Sequence, residues 1–88
     1  MAWTIEYAKT ARDQLKKLDK VAARRVLDYM DQRIAVLDDA RQVGKALKGP
    51  LGDLWRYRVG DYRIICDIQD RVLIVLVLQV GNRRDVYR

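Results

Sequence analysis

The chain has 88 residues, 50% hydrophobic and 34% charged, with a net charge of +6. That length supports one modest core, so residues 1–88 read as a single domain, and the composition is globular rather than disordered. One cysteine and no histidine exclude a disulfide framework, a cysteine–histidine zinc site and any mechanism built on an imidazole; neither metal nor cofactor is expected.

The opening stretch MAWTIEYAKTARDQL has none of the basic, apolar and small-residue regions of a secretory signal. Within it, AWTIEYA carries β-formers in partial alternation, which predicts a short strand over residues 2–7. From Ala8 the spacing becomes helical, because Ala8, Ala11, Leu15 and Leu18 recur at intervals of three and four. LDK interrupts. A second helix follows, with Val21, Val26, Leu27, Met30, Ile34 and Leu37 on its apolar stripe and Arg24, Arg25, Asp28, Asp31 and Arg33 on its wet side. The break at Leu18–Lys20 is short enough to make the two helices an antiparallel hairpin. DDARQVGKALKGPLGD, with three of the five glycines and the only proline, is the one sustained connector.

From Leu54 the period falls to two. LWRYRV, a GD turn, YRIICDI, a QDR turn and VLIVLVLQV predict three strands. The last is apolar on both faces, which predicts an interior strand covered above and below. It is far short of the ~20 apolar residues that a membrane span needs. The order β-α-α-β-β-β predicts an α+β fold: a small antiparallel-rich sheet with an N-terminal helical hairpin packed on one face. Cys66, amid aliphatics in YRIICDIQD, reads as a buried reduced thiol; with no signal and no span, the protein is expected in the cytoplasm.

The charge is uneven. Residues 1–40 hold eight Lys/Arg against seven Asp/Glu, and residues 41–88 hold ten against five, so the second half carries +5. Apart from Lys45 and Lys48 that excess is arginine, whose planar fork suits phosphate and stays charged near neutral pH. Nucleic acid is the partner class this implies. Alternation puts Arg56 and Arg58 on one face of LWRYRV and Trp55, Tyr57 and Val59 on the other. In the next strand Tyr62, Ile64, Cys66 and Ile68 form the apolar row, with Arg63, Ile65, Asp67 and Gln69 opposite. Arg56, Arg58 and Arg63 are therefore expected to converge on the sheet face that the helices leave open.

The tail GNRRDVYR follows the last strand directly. Arg83 and Arg84 leave the strand just past Gly81, so at least one of them can swing onto the same face, and the Tyr87 ring can stack on an unpaired base or lend its hydroxyl to proton transfer. Lys45 and Lys48 in the connector, with Asn82, Arg84 and Arg88 in the tail, are further candidate RNA contacts.

The element order, LKGPLGDLWRYRVGDYRIICDI and the closing VGNRRDVYR together resemble the RelE toxins of bacterial toxin–antitoxin modules, over essentially the whole chain. The resemblance implies an endoribonuclease that cuts messenger RNA in the ribosomal A site. It also implies silencing by a RelB-like antitoxin in a hetero-oligomeric complex. By position it assigns catalysis to Arg56, Arg58, Arg63, Arg83 and Tyr87. Relatives often carry lysine at the positions of Arg56 and Arg58, and histidine at that of Asn82. The antitoxin segment is expected to be an amphipathic helix or strand of acidic character, covering the helical hairpin or the basic face.

Without histidine, the accessible chemistry is attack by the RNA's own 2′-hydroxyl on the adjacent phosphate, leaving a 2′,3′-cyclic phosphate and a 5′-hydroxyl. The arginines would stabilise the charge gathered in the transition state, with Tyr87 as base or stacking platform. A site so short of acids and bases is expected to depend on the ribosome to align its substrate. Two other readings stay open: a ParE-like toxin of the same fold that inhibits DNA gyrase, and a non-catalytic RNA-binding module.

Overall fold

The computed structural model describes residues 2–47 and 53–82. Strand β1 (Thr4–Tyr7) leads into helix α1 (Lys9–Lys17) and helix α2 (Lys20–Tyr29), and a π-helical turn over Met30–Ile34 prolongs α2. Four strands follow: β2 (Lys45–Leu47), β3 (Leu54–Val59), β4 (Tyr62–Gln69) and β5 (Ile74–Asn82). They form one five-stranded sheet in the order β1-β5-β4-β3-β2. β1 runs parallel to β5 and the other pairings are antiparallel.

The break that LDK signals is a helix cap. Asp19 is the N-cap of α2, and its carboxylate accepts the Ala22 N–H at 2.7 Å, satisfying one of the donors that a helix start leaves over. α1 packs on β5, where Gln14 Oε1 accepts the Val80 N–H at 2.6 Å. α2 leans toward β3. The buried positions of the second helix are Ala22, Val26, Met30 and Ile34. A strict spacing of four drifts about 40° per step on a 3.6-residue helix. The wider turn at Met30–Ile34, closed by Ala35 N–H to Met30 O at 2.9 Å, compensates for that drift. Val21 therefore falls off the expected apolar stripe and is 73% exposed.

The sheet corrects the expected order at one element. The connector holds β2, which pairs Lys45 with Arg56, Ala46 with Trp55 and Leu47 with Leu54. Three residues without a β-former give no local signal, and this edge strand exists because β3 offers it a partner. α+β holds, with the helices on one face. On that face Tyr57, Ile64, Cys66, Val75, Val77 and Val80 are wholly buried or nearly so.

β5 is interior, as its apolar run requires, yet it is not covered on both sides. Val75, Val77 and Val80 are buried, whereas Ile74, Leu76 and Leu78 are only half-buried. The change of spacing marks a bulge. Ile65 pairs with Gln79 but Cys66 with Val77, so Leu78 is the extra residue and the inward phase of β5 slips by one. Among the described residues, no helix is long and apolar enough to cross a membrane.

Candidate functional site

The β3–β4 hairpin turns through Gly60 and Asp61 between the paired Val59 and Tyr62. Gly60 takes φ +57°, a conformation that glycine enters without a Cβ penalty and that the first central position of a type II′ hairpin demands. That turn locks the register. Two inward anchors then fix which way the strand faces. The Tyr57 hydroxyl donates to Ala40 O at 2.6 Å, and Trp55 Nε1 donates to Val43 O at 2.7 Å. Between those anchors Arg56 must point outward, and beyond them Arg58 does the same.

The register brings the cations of that outer face together. Lys45 lies opposite Arg56, and Arg58 lies opposite Arg63. Arg58 is exposed, Arg56 is half-buried, and Arg63 is only 7% exposed. Burial of Arg63 departs from the open arginine surface that alternation predicts. Its strand is the middle one of the five, with Arg58 on one side and Gly81 on the other. Gly81 sets no side chain against it.

Two depressions result. One of about 250 Å3 is lined by Tyr29, Gly44, Lys45, Arg56 and Arg58, and one of about 100 Å3 by Arg58, Gly60, Asp61 and Arg63. Arg58 borders both. The first depends on Gly44, at φ +89°, where a side chain would collide with the Arg56 carbonyl oxygen and the Trp55 indole nitrogen. Sequence reasoning missed Tyr29 and Asp61 here. Tyr29 belongs neither to the apolar stripe nor to the charged side that periodicity marks on the second helix, and Asp61 carries only a turn signal.

Asn82 stands apart from this cluster. It pairs with Tyr62 on the opposite parity from Arg63, and lines a separate depression of about 290 Å3 with Gln14, Lys17, Leu18, Tyr62, Val80 and Gly81. Lys48, Arg83, Arg84, Tyr87 and Arg88 lie outside the described residues.

Burial pushes the phenols of Tyr7 and Tyr57 and the thiol of Cys66 well above their ordinary values, so these groups keep their protons near neutral pH. An exposed bidentate pair, Arg41 with Asp70 at 2.9 and 3.0 Å, holds that carboxyl below its usual range. Neither of its members lines the arginine depressions. Among the described residues, no group of three or more histidine, cysteine or acidic side chains is placed to hold a metal ion. The described part of the site thus offers fixed cations, a half-buried tyrosine and one nearby carboxylate.

The sequence model of the family described as "ParE toxin of type II toxin-antitoxin system, parDE" matches residues 5–87. The chain belongs to the RelE/ParE superfamily of type II toxins. Toxin RelG of Mycobacterium tuberculosis is 31% identical over 88 residues, covering 100% of this chain and 99% of that protein. The superfamily fold recurs in a RelBE toxin–antitoxin complex from the same organism, at TM-score 0.85 and 28% identity over 97% of this chain and 95% of that one. An archaeal RelE–RelB complex from Pyrococcus horikoshii gives TM-score 0.75 at 25% identity, over 98% of this chain and 100% of that one. The isolated RelE toxin of E. coli, at 19% identity and TM-score 0.72 over 98% of this chain and 92% of that one, shares the fold.

Proposed function

We propose that this type II toxin is a ribosome-dependent endoribonuclease that cuts messenger RNA in the cytoplasm and is neutralised by a RelB-like antitoxin in a hetero-oligomeric complex. The observation that carries the reading is the cross-strand placement of Arg58 against Arg63, flanked by Arg56 and Lys45, on one face of a rigid hairpin. Preorganised guanidiniums are what a phosphate gaining charge needs, because they stabilise it without reorganising when the reaction occurs. The named relatives support the same reading, since they are RelG and RelE toxins and the complexes pair RelE with RelB.

In the proposed reaction the 2′-oxygen bonds to the adjacent phosphorus and the bond from phosphorus to the 5′-oxygen breaks. The 2′-hydroxyl loses its proton, and the departing 5′-oxygen gains one. Arg56, Arg58 and Arg63 stabilise the charge on the nonbridging oxygens. Arg83 and Tyr87 keep the roles that their positions in the tail imply, as phosphate ligand and as base or stacking ring. Lys45, Lys48, Arg84 and Arg88 extend the RNA contact, whereas Asn82, on the other side of the sheet, can reach only RNA that wraps around the end of β5.

The test is cleavage of a defined message by purified toxin, free and programmed on ribosomes. The reading requires cuts only on the ribosome, with 2′,3′-cyclic phosphate ends upstream and 5′-hydroxyl ends downstream. The description of the matching family, a ParE toxin, favours a second reading in which the protein inhibits DNA gyrase. Gyrase inhibition in vitro with intact message would establish that alternative. A toxin that binds RNA but does neither is a binding module.

A further inference from the structure

Helix α2 presents two side chains to the hydrogen-bonding edge of β3 that the proposed cleavage chemistry leaves unused. β2 pairs only with Leu54, Trp55 and Arg56, so among the described residues no strand borders the rest of that edge. Tyr29 lines the depression there together with Gly44, Lys45, Arg56 and Arg58. Its ring is half-buried and meets buried Tyr57 edge-on, with centroids 6.4 Å apart and planes at 63°. That contact fixes the ring from below. One turn earlier on the same helix face is Arg25, an exposed residue, because positions four apart stack along a helix. The Arg25 guanidinium stands over the hairpin turn, where a Cβ at Gly60 would lie 3.4 Å from Nη2. Gly60 in turn lines the smaller depression with Arg58 and Arg63.

We propose that Arg25 and Tyr29 form a subsite for the unpaired nucleotide next to the scissile phosphate, with Tyr29 stacking on its base and Arg25 binding the neighbouring phosphate. A fixed aromatic ring beside converging cations suits a flat base joined to an anion, and this combination recurs where proteins hold single strands. An acidic peptide would use the cations but has no need of the ring. The subsite rests on the endoribonuclease reading for its role, although its affinity for RNA is measured separately.

The test uses the full chain and an unstructured RNA hexamer carrying a 2′-deoxy sugar at the cleavage position, so that binding is read without cutting. Tyr29→Leu is expected to weaken binding about tenfold, and Tyr29→Trp to restore it. Arg25→Ala, at an exposed position, is expected to reduce the slope of log affinity against log salt by about 0.7, the value for one lost phosphate contact on a single strand. Tyr29→Leu should leave that slope unchanged. Wild-type affinity and slope in both Tyr29→Leu and Arg25→Ala would overturn the subsite. So would variants that lose affinity for the antitoxin and keep it for RNA. If the wild type cuts no message on the ribosome, the endoribonuclease reading fails, while the hexamer titration still decides the subsite.

Discussion

Arg58 and Arg63 stand directly opposite each other across the β3–β4 hairpin, on the face turned away from the helices. Side chains so paired have Cβ atoms about 5 Å apart, and like charges there are mutually destabilising by some fraction of 1 kcal/mol. An anion between them would reverse that sign. Inorganic phosphate is therefore expected to raise the melting temperature of the wild-type protein, and to raise that of Arg58→Ala much less. In phosphate-free, low-salt buffer the variant should melt at or slightly above the wild-type temperature. Equal responses to phosphate would argue against an anion site at this pair.

The link from Gln14 to Val80 ties α1 to the strand that leads to Gly81, opposite Arg63. Gln14→Ala removes the acceptor and leaves a partly buried strand N–H unsatisfied, at a cost of about 1–3 kcal/mol. For a chain of this size each kcal/mol lowers the melting temperature by roughly 4–8 °C. Thermal unfolding followed by circular dichroism measures it. An unchanged midpoint would mean that the bond contributes nothing net.

Cys66 is buried and its thiol is held well above the ordinary value, first by desolvation and then by Asp67. A folded-state pKa above the unfolded one gives stability that is complete below about pH 8.5 and is lost as the pH rises beyond it, because the unfolded chain then sheds a proton that the folded chain keeps. One such group lowers stability by at most about 1.4 kcal/mol per pH unit. Urea midpoints measured from pH 7 to 10 should fall, and Cys66→Val should flatten the decline between about pH 8.5 and 9.5, before tyrosine ionisation enters. The folded wild type should also resist alkylation by iodoacetamide, and a rapid reaction would contradict burial.

Much of this was legible in the residues. Alternation in LWRYRV and YRIICDI assigned the inner row of Tyr57, Ile64 and Cys66, and with it the common outer face of Arg56, Arg58 and Arg63. Two-fold periodicity is a strong signal where one face is apolar. Other features depended on tertiary partners and left no local trace. β2 has no β-former and exists by pairing with β3. The bulge at Leu78 shifts the inward phase inside a run that is apolar at nearly every position, so the sequence offers no contrast by which to see the slip. Arg63 lies buried on the middle strand, and two-fold alternation gives the face of a residue but not its depth. Tyr29 and Arg25 reach the basic face through the packing of α2 beside β3, which helical periodicity alone does not specify.

The most direct test of the central claim is primer extension on cellular messages after brief induction of the wild-type toxin and of Arg58→Ala, with the variant shown to be folded by its melting curve. The wild type should give cuts phased to the reading frame in translated regions, and the variant should lose them. Gyrase-dependent DNA damage with uncut messages, or an unchanged cutting pattern in Arg58→Ala, would contradict it.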